Sequence, residues 1–281
     1  MGRSDHAAYK FLALNGGTGI GFIAHLSERR SGLKPIEVFP IRGLPEVKEG
    51  DDIPDLILKG ASRSRFKFRS RDIVVVKQKI VSKAEGRLVR LEDVKPGRRA
   101  ASLAKEQRKD PRLVELILAE SVRVVRSGHG VIITETRHGF VCANSGIDQS
   151  NVGDGLAALL PIDPDASARA IRAKLETATG MRLAVLVTDT FGRPWRRGQT
   201  DVAIGCAGIS PLLSYAGRKD RFGYALRVTE PAVVDEVAGA AELAVGKLGS
   251  VPVAVVRGVS YRTGAEGARG LVIDPERDLF R

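Results

Sequence analysis

The alternation of apolar and polar positions in Ile36-Glu37-Val38-Phe39-Pro40-Ile41 predicts a first strand. A turn at Gly43 to Pro45 follows, and Asp51 and Asp52 then precede a short helical segment, Ile53 to Leu58, whose N-terminal dipole favours acidic neighbours. The β-branched run Asp72 to Val76 predicts a buried strand leading directly into Lys77 to Gly86. Residues 99–109 look helical and charged. Asp110-Pro111 opens a second helix, with Leu113, Leu116, Ile117 and Val124 on one face and Gly128 as its end. Val131 to Ile133 and Phe140 to Ala143 read as a hairpin around Arg137 to Gly139. Asp163-Pro164-Asp165 caps a helix that stops at Gly180. Leu183 to Thr188 is a further buried strand ending at Asp189, with a helix around Val233 to Leu248 and a strand at Val253 to Val256 behind it.

Strands and helices mix without a regular βαβ beat. The fold class expected is α/β in the mixed α+β sense, with mostly antiparallel sheets and no repeat architecture. The 281 residues suffice for one large domain or two intimately joined subdomains. Residues 1–35 differ from the rest. Their NGGTGIG stretch lacks the Lys-Ser/Thr ending of a phosphate loop, so an N-terminal extension before a catalytic body at 36–281 is expected.

Composition narrows the function classes. No apolar run reaches the roughly 18 residues of a membrane span, and no signal-peptide pattern opens the chain, so a soluble cytoplasmic protein is expected. Cys142 and Cys206 are not spaced as zinc ligands and sit in apolar stretches, as buried inert thiols do. The net charge of +12 is spread along the chain, and aromatic residues are only 5%. A nucleic-acid-binding module would want basic patches with stacking aromatics, so an anionic small substrate is the better use of this field.

Three places put charged groups at strand ends beside glycine. Gly146 to Val152 carries Asp148, a hard oxygen donor, and Asn151; the same residues suit an ordinary Asx turn. Thr188 to Asp201 puts Asp189 and Thr190 just before Arg193, Arg196 and Arg197. A carboxylate there suits Mg²⁺ or Mn²⁺, and the arginines suit phosphate, although a structural ion pair would leave the same trace. Ser82 to Gly86 offers Lys83 as a point charge for phosphate, or as a surface lysine. Together they suggest metal-assisted phosphoryl chemistry without fixing the reaction.

Six motifs carry a resemblance: GLPEVKEGDD (43–52), VSKAEGR (81–87), NSGIDQSNV (144–152), VTDTFGRPWRRGQTDVAIG (187–205), GRKDRFG (217–223) and DEVAGAAEL (235–243). In this order they resemble the coenzyme F420-0:L-glutamate ligase family, from about Ile36 to Gly258. The resemblance implies a cytoplasmic homodimer that uses GTP to join L-glutamate to F420-0, a phosphorylated deazaflavin, and then adds γ-linked glutamate. It implies two Mg²⁺ or Mn²⁺ ions per subunit and K⁺, with neither nucleic acid nor membrane as partner. Carried over by position, Asp148, Asp189 and Thr190 would hold the divalent ions. Leu44, Pro45, Glu46, Val47, Lys83 and Asn151 would contact GTP. Gln78 and Lys79 fall where the family has nucleotide contacts, often small hydroxyl residues. Gly246 and Gly249 align with a glycine-rich nucleotide loop that is shorter here. Lys83, Arg193 and Arg196 would supply catalytic positive charge. Glu85 and Asp201 are the carboxylates considered for deprotonating the amine. A metal-dependent phosphohydrolase would use the same residues, and a related ligase could take another acceptor.

Overall fold

The computed structural model describes residues 35–279, so the 1–35 extension with its NGGTGIG stretch lies, but for Pro35, outside the described residues. In chain order the elements are β1 (Glu37–Pro40), α1 (Ile53–Arg63), β2 (Ile73–Lys77), α2 (Gln78–Ala84), β3 (Leu88–Arg90), α3 (Arg98–Gln107), α4 (Pro111–Ala119), β4 (Ser121–Gly128), β5 (Val131–Thr136), β6 (Val141–Ala143), β7 (Leu156–Ala158), α5 (Pro164–Thr179), β8 (Ala184–Arg193), β9 (Arg196–Ala207), α6 (Val233–Val245) and β10 (Val253–Arg257). The mixed fold class is met. The main sheet runs β1-β10-β2-β8-β9, parallel only between β2 and β8.

Both faces of this sheet are covered, which is why its central strands are unbroken apolar runs. Val74, Val76, Val185 and Val187 pack on one face with Ile57 of α1, Val81 of α2 and Leu175 of α5. Ile73, Val75, Ala184 and Leu186 pack on the other with Val234, Val237 and Ala241 of α6. A smaller lobe, β4-β5-β6 with α3 and α4, keeps its own cluster of Ala100, Ala104, Val114, Ile117 and Ile132. Arg257 closes the end of the main sheet by a bidentate pair with buried Asp72, Nε to Oδ1 and Nη2 to Oδ2 both 2.7 Å.

Asp110 and Asp163 cap their helices as expected, Asp52, expected only as an acidic neighbour of the helix dipole, also accepts a backbone N–H at a helix start, and Gly180 ends α5 in the left-handed region. Two expectations are corrected. The helix opened by Asp110 stops at Ala119, and Ser121–Gly128 is strand β4. Val124 lies seven residues after Ile117, a helical spacing, but Val122, Val124 and Val125 are all β-branched, and Val124 pairs with Thr134 of β5. The strand ending at Asp189 instead continues to Arg193 and folds back through Pro194-Trp195 into β9, so the 188–201 segment is a long hairpin rather than a loop.

That hairpin contains a bulge. Val187 faces Gly205 while Thr188 faces Ala203, leaving Ile204 as the extra residue. Cys206 and Ala203 both pack on the α6 face and Ile204 on the opposite one. The extra residue reverses the side-chain parity, so Asp201 joins the α6 face. Asp235 of α6 accepts the Ala203 N–H at 2.9 Å and so satisfies the bulge. Gly205 is required by close approach, since a Cβ there would stand 2.3 Å from the Pro164 carbonyl oxygen.

Candidate functional site

Chemistry-bearing side chains gather at the ends of β2 and β8, on both faces of the sheet. The chain passes from β2 into α2 without a loop, so Lys77 closes the strand and Lys79 and Lys83 follow one turn apart on the helix. Lys79 Nζ meets Asp148 Oδ2 at 2.7 Å and Ser150 O and Oγ at 2.6 and 2.8 Å. Buried Lys83 donates to Asn151 O at 2.8 Å and pairs with the exposed carboxylate of Glu46.

The loop that carries Asp148 is held rigidly. Asn144, Ser145 and Gly146 are three successive left-handed residues, and a Cβ at Gly146 would crowd Leu160. Ser145 is pinned by Thr134 and by the Ile117 carbonyl. Asp148 forms a two-way backbone bridge with Ala158. Burial alone would raise the Asp148 pKa. The hydrogen bonds from Lys79 and from Ser150 N and Oγ outweigh it and hold the group below its ordinary value.

Asp189 lies on the same face of β8 as Val187. Burial pushes its carboxyl up to about 7, and the Asp148 and Asp201 carboxylates push the same way, against the Thr190 backbone N–H and Lys79. It is a hard oxygen donor short of positive charge. Asp148 and Asp189 are hard oxygen donors of the kind Mg²⁺ or Mn²⁺ prefers, Asp148 with Lys79 Nζ on its Oδ2. No group of three or more His, Cys, Asp or Glu side chains suited to a metal occurs among the described residues.

Thr190 points to the opposite face. Its hydroxyl donates to Asp201 Oδ1 at 2.7 Å and accepts from Lys247 Nζ at 2.6 Å. Asp201 and Glu242 each also bind Lys77. The Lys247 ammonium thus stands beside Thr190, where the resemblance implies a divalent ion. Sequence reasoning missed Lys77 and Glu242, and saw Asp201 only as a possible base. The available signal was a charge in an apolar pattern: Lys77 shares the face of Ile73 and Val75, and Glu242 sits in a helix of valine and alanine.

The remaining expected residues separate. Val47 is buried in the core, Leu44 packs against it, and Pro45 and Glu46 are exposed beside α2. Gln78 is buried and its Oε1 accepts from Ser82 Oγ at 2.8 Å, facing inward. Gly246 ends α6 at φ +62°, and Gly249 follows in the same connection on the Thr190 face. Arg193 and Arg196 are exposed at the hairpin tip, roughly 13 Å along the strand from Asp189. Glu85 accepts from Ser167, away from these clusters, and Asp201 has both oxygens engaged, so neither stands free as a base. Both cysteines are buried, their thiols pushed up to about 12 by burial. No described helix is long and apolar enough to cross a membrane.

Carboxylates and lysines thus gather on one loop, one strand and one helix. Residues 42–258 match the family described as F420-0:Gamma-glutamyl ligase, and the chain belongs to that family. It is 45% identical over 249 residues to the coenzyme F420:L-glutamate ligase of Methanothermobacter thermautotrophicus, covering 88% of this chain and 99% of that relative. It is 39% identical over 255 residues to that of Methanopyrus kandleri, covering 89% and 99%. It is 40% identical over 247 residues to that of Archaeoglobus fulgidus, covering 88% and 96%.

Proposed function

We propose that this chain joins L-glutamate to F420-0 at the expense of GTP, through an acyl phosphate. The observation that carries this reading is the Asp148–Asp189 pair beside Lys79 and Lys83 on one face of the sheet, in a chain of this family. A carboxylate oxygen of F420-0 attacks the γ-phosphorus and GDP leaves. The glutamate amine then attacks the acyl carbon, the bond to phosphate breaks, and an amide forms as the amine loses its proton. In later rounds the γ-carboxylate of the terminal glutamate takes the place of the first acceptor. A divalent ion held by Asp148 and Asp189 supplies charge neutralisation at phosphate oxygens.

The chain's own residues supply the rest. Lys83 is buried except toward Glu46, an exposed partner that moves aside cheaply, so its ammonium is available to a phosphate. Lys79 bridges the Asp148 loop to α2 and fixes the distance between carboxylate and lysines. The loop 44–47 borders the same helix through the Glu46–Lys83 pair, and in this reading it covers the nucleotide. Two such chains acting as a homodimer is part of the same reading.

F420-0 labelled with ¹⁸O in its carboxylate tests the acyl phosphate. One label per turnover should appear in the released phosphate. Unlabelled phosphate with labelled amide would overturn this mechanism.

A further inference from the structure

The family resemblance leads one to expect a divalent ion at Thr190, and the structure puts a lysine there. Lys247 Nζ lies 2.6 Å from Thr190 Oγ1, 2.7 Å from Glu242 Oε1 and 3.4 Å from Asp201 Oδ1. A hydroxyl and two carboxylate oxygens are what a magnesium-like ion selects. Asp201 is almost wholly buried, and its other oxygen is held by Lys77. Two lysines thus balance two carboxylates with no charge left over.

The backbone explains how the lysine arrives. Gly246 stops α6 at φ +62°, a conformation that strains other residues, and turns the chain so that residue 247 lies over the helix's last turn beside Glu242. The connection from there to buried Val251 is short. A cation bound to Thr190 Oγ1 would need the volume and the oxygens that the ammonium uses, and the two positive charges would repel.

We propose that Lys247 is a built-in cation, its ammonium replacing one of the two divalent ions, so that this chain holds a single divalent ion on Asp148 and Asp189. This rests on the function proposed above for the ion on Asp148 and Asp189, and on the family resemblance for the expectation of a cation beside Thr190. Removing the lysine leaves one uncompensated carboxylate. Because more than half of the Lys247 side chain is exposed (55%), that carboxylate would be open to ions from solvent.

The test is a Mn²⁺ titration of the nucleotide-free full chain, reading free Mn²⁺ by its paramagnetic resonance signal. Lys247→Ala should bind one more Mn²⁺ per chain than the unsubstituted protein, and Lys247→Arg no more. Lys247→Gln repeats the test with the side-chain length kept, should Lys247→Ala fold poorly. The gain should persist on an Asp189→Asn background, because Thr190 and Asp201 lie on the other face of the sheet. A folded Lys247→Ala or Lys247→Gln chain that gains no Mn²⁺ overturns the proposal, as does an equal gain in Lys247→Arg. A failure of the Asp148–Asp189 reading shows separately, as binding in the unsubstituted chain that is indifferent to Asp189→Asn.

Discussion

Asp189 is a carboxylate with two other carboxylates acting on it. Burial and two neighbouring carboxylates raise it to about 7, while Asp148, one loop away, is held low by Lys79 and Ser150. The opposed shifts follow from opposed surroundings, burial and like charge at Asp189 against donated hydrogen bonds at Asp148. Asp189→Asn keeps the shape and removes the charge. It should leave the melting temperature near that of the unsubstituted chain and lower turnover by at least about a hundredfold, the scale of losing one electrostatic contact to the reacting group. Full turnover with unchanged metal dependence would remove Asp189 from the metal role. Lys83 contributes differently, as a fixed charge on α2. Lys83→Ala should weaken GTP binding about tenfold or more, the worth of one charge-assisted hydrogen bond, as measured by calorimetric titration. Unchanged affinity would make Lys83 a structural partner of Glu46 and Asn151.

At the scale of elements, the caps were the clearest part of the sequence, because Asp-Pro and a terminal glycine act locally. Asp110 carries a pH prediction. The Arg112 side chain is the first cause lowering its pKa from 3.8, with backbone N–H bonds acting alongside and burial opposing. A lowered carboxyl pKa stabilises the fold above the unfolded value and loses that contribution as pH falls through the folded one. Asp110→Asn keeps the cap but should make the acid limb of the stability curve shallower. Asp110→Ala should cost about 1 kcal/mol near neutral pH, read by urea unfolding. The β8–β9 hairpin was not legible past Asp189. Its turn is Pro194-Trp195, without the Asn-Gly or Asp-Gly pair that marks such turns, and its charged tip reads as a loop. The bulge at Ile204 was hidden for a deeper reason. Period-two reasoning back from Cys206 puts Asp201 on the wrong face, and only the pairing with β8, with the Asp235 bond to Ala203 N–H, shows where the parity changes. The network of Lys77, Asp201, Glu242 and Lys247 therefore joins residues up to 170 apart in the chain, which no local pattern can assemble.

Over the whole molecule, the charge of +12 finds a use if the substrates are polyanions. The proposed substrates GTP, F420-0 and glutamate are all negatively charged. The mixed fold and its buried strands were readable because apolar runs are strong local signals, and Asp148 and Asp189 stood out as hard donors beside glycine. The division of the site between two faces of one sheet was not readable. The central claim is that phosphoryl transfer here is coupled to amide formation. The most direct measurement is GDP release by the purified chain with GTP, Mn²⁺ and K⁺, with and without F420-0 and L-glutamate, with the product weighed by mass spectrometry. GDP release that needs both substrates, with a product heavier by one or more glutamyl units, is the predicted result. Phosphate release indifferent to glutamate, with no gain in product mass, would contradict it and mark the chain as a hydrolase.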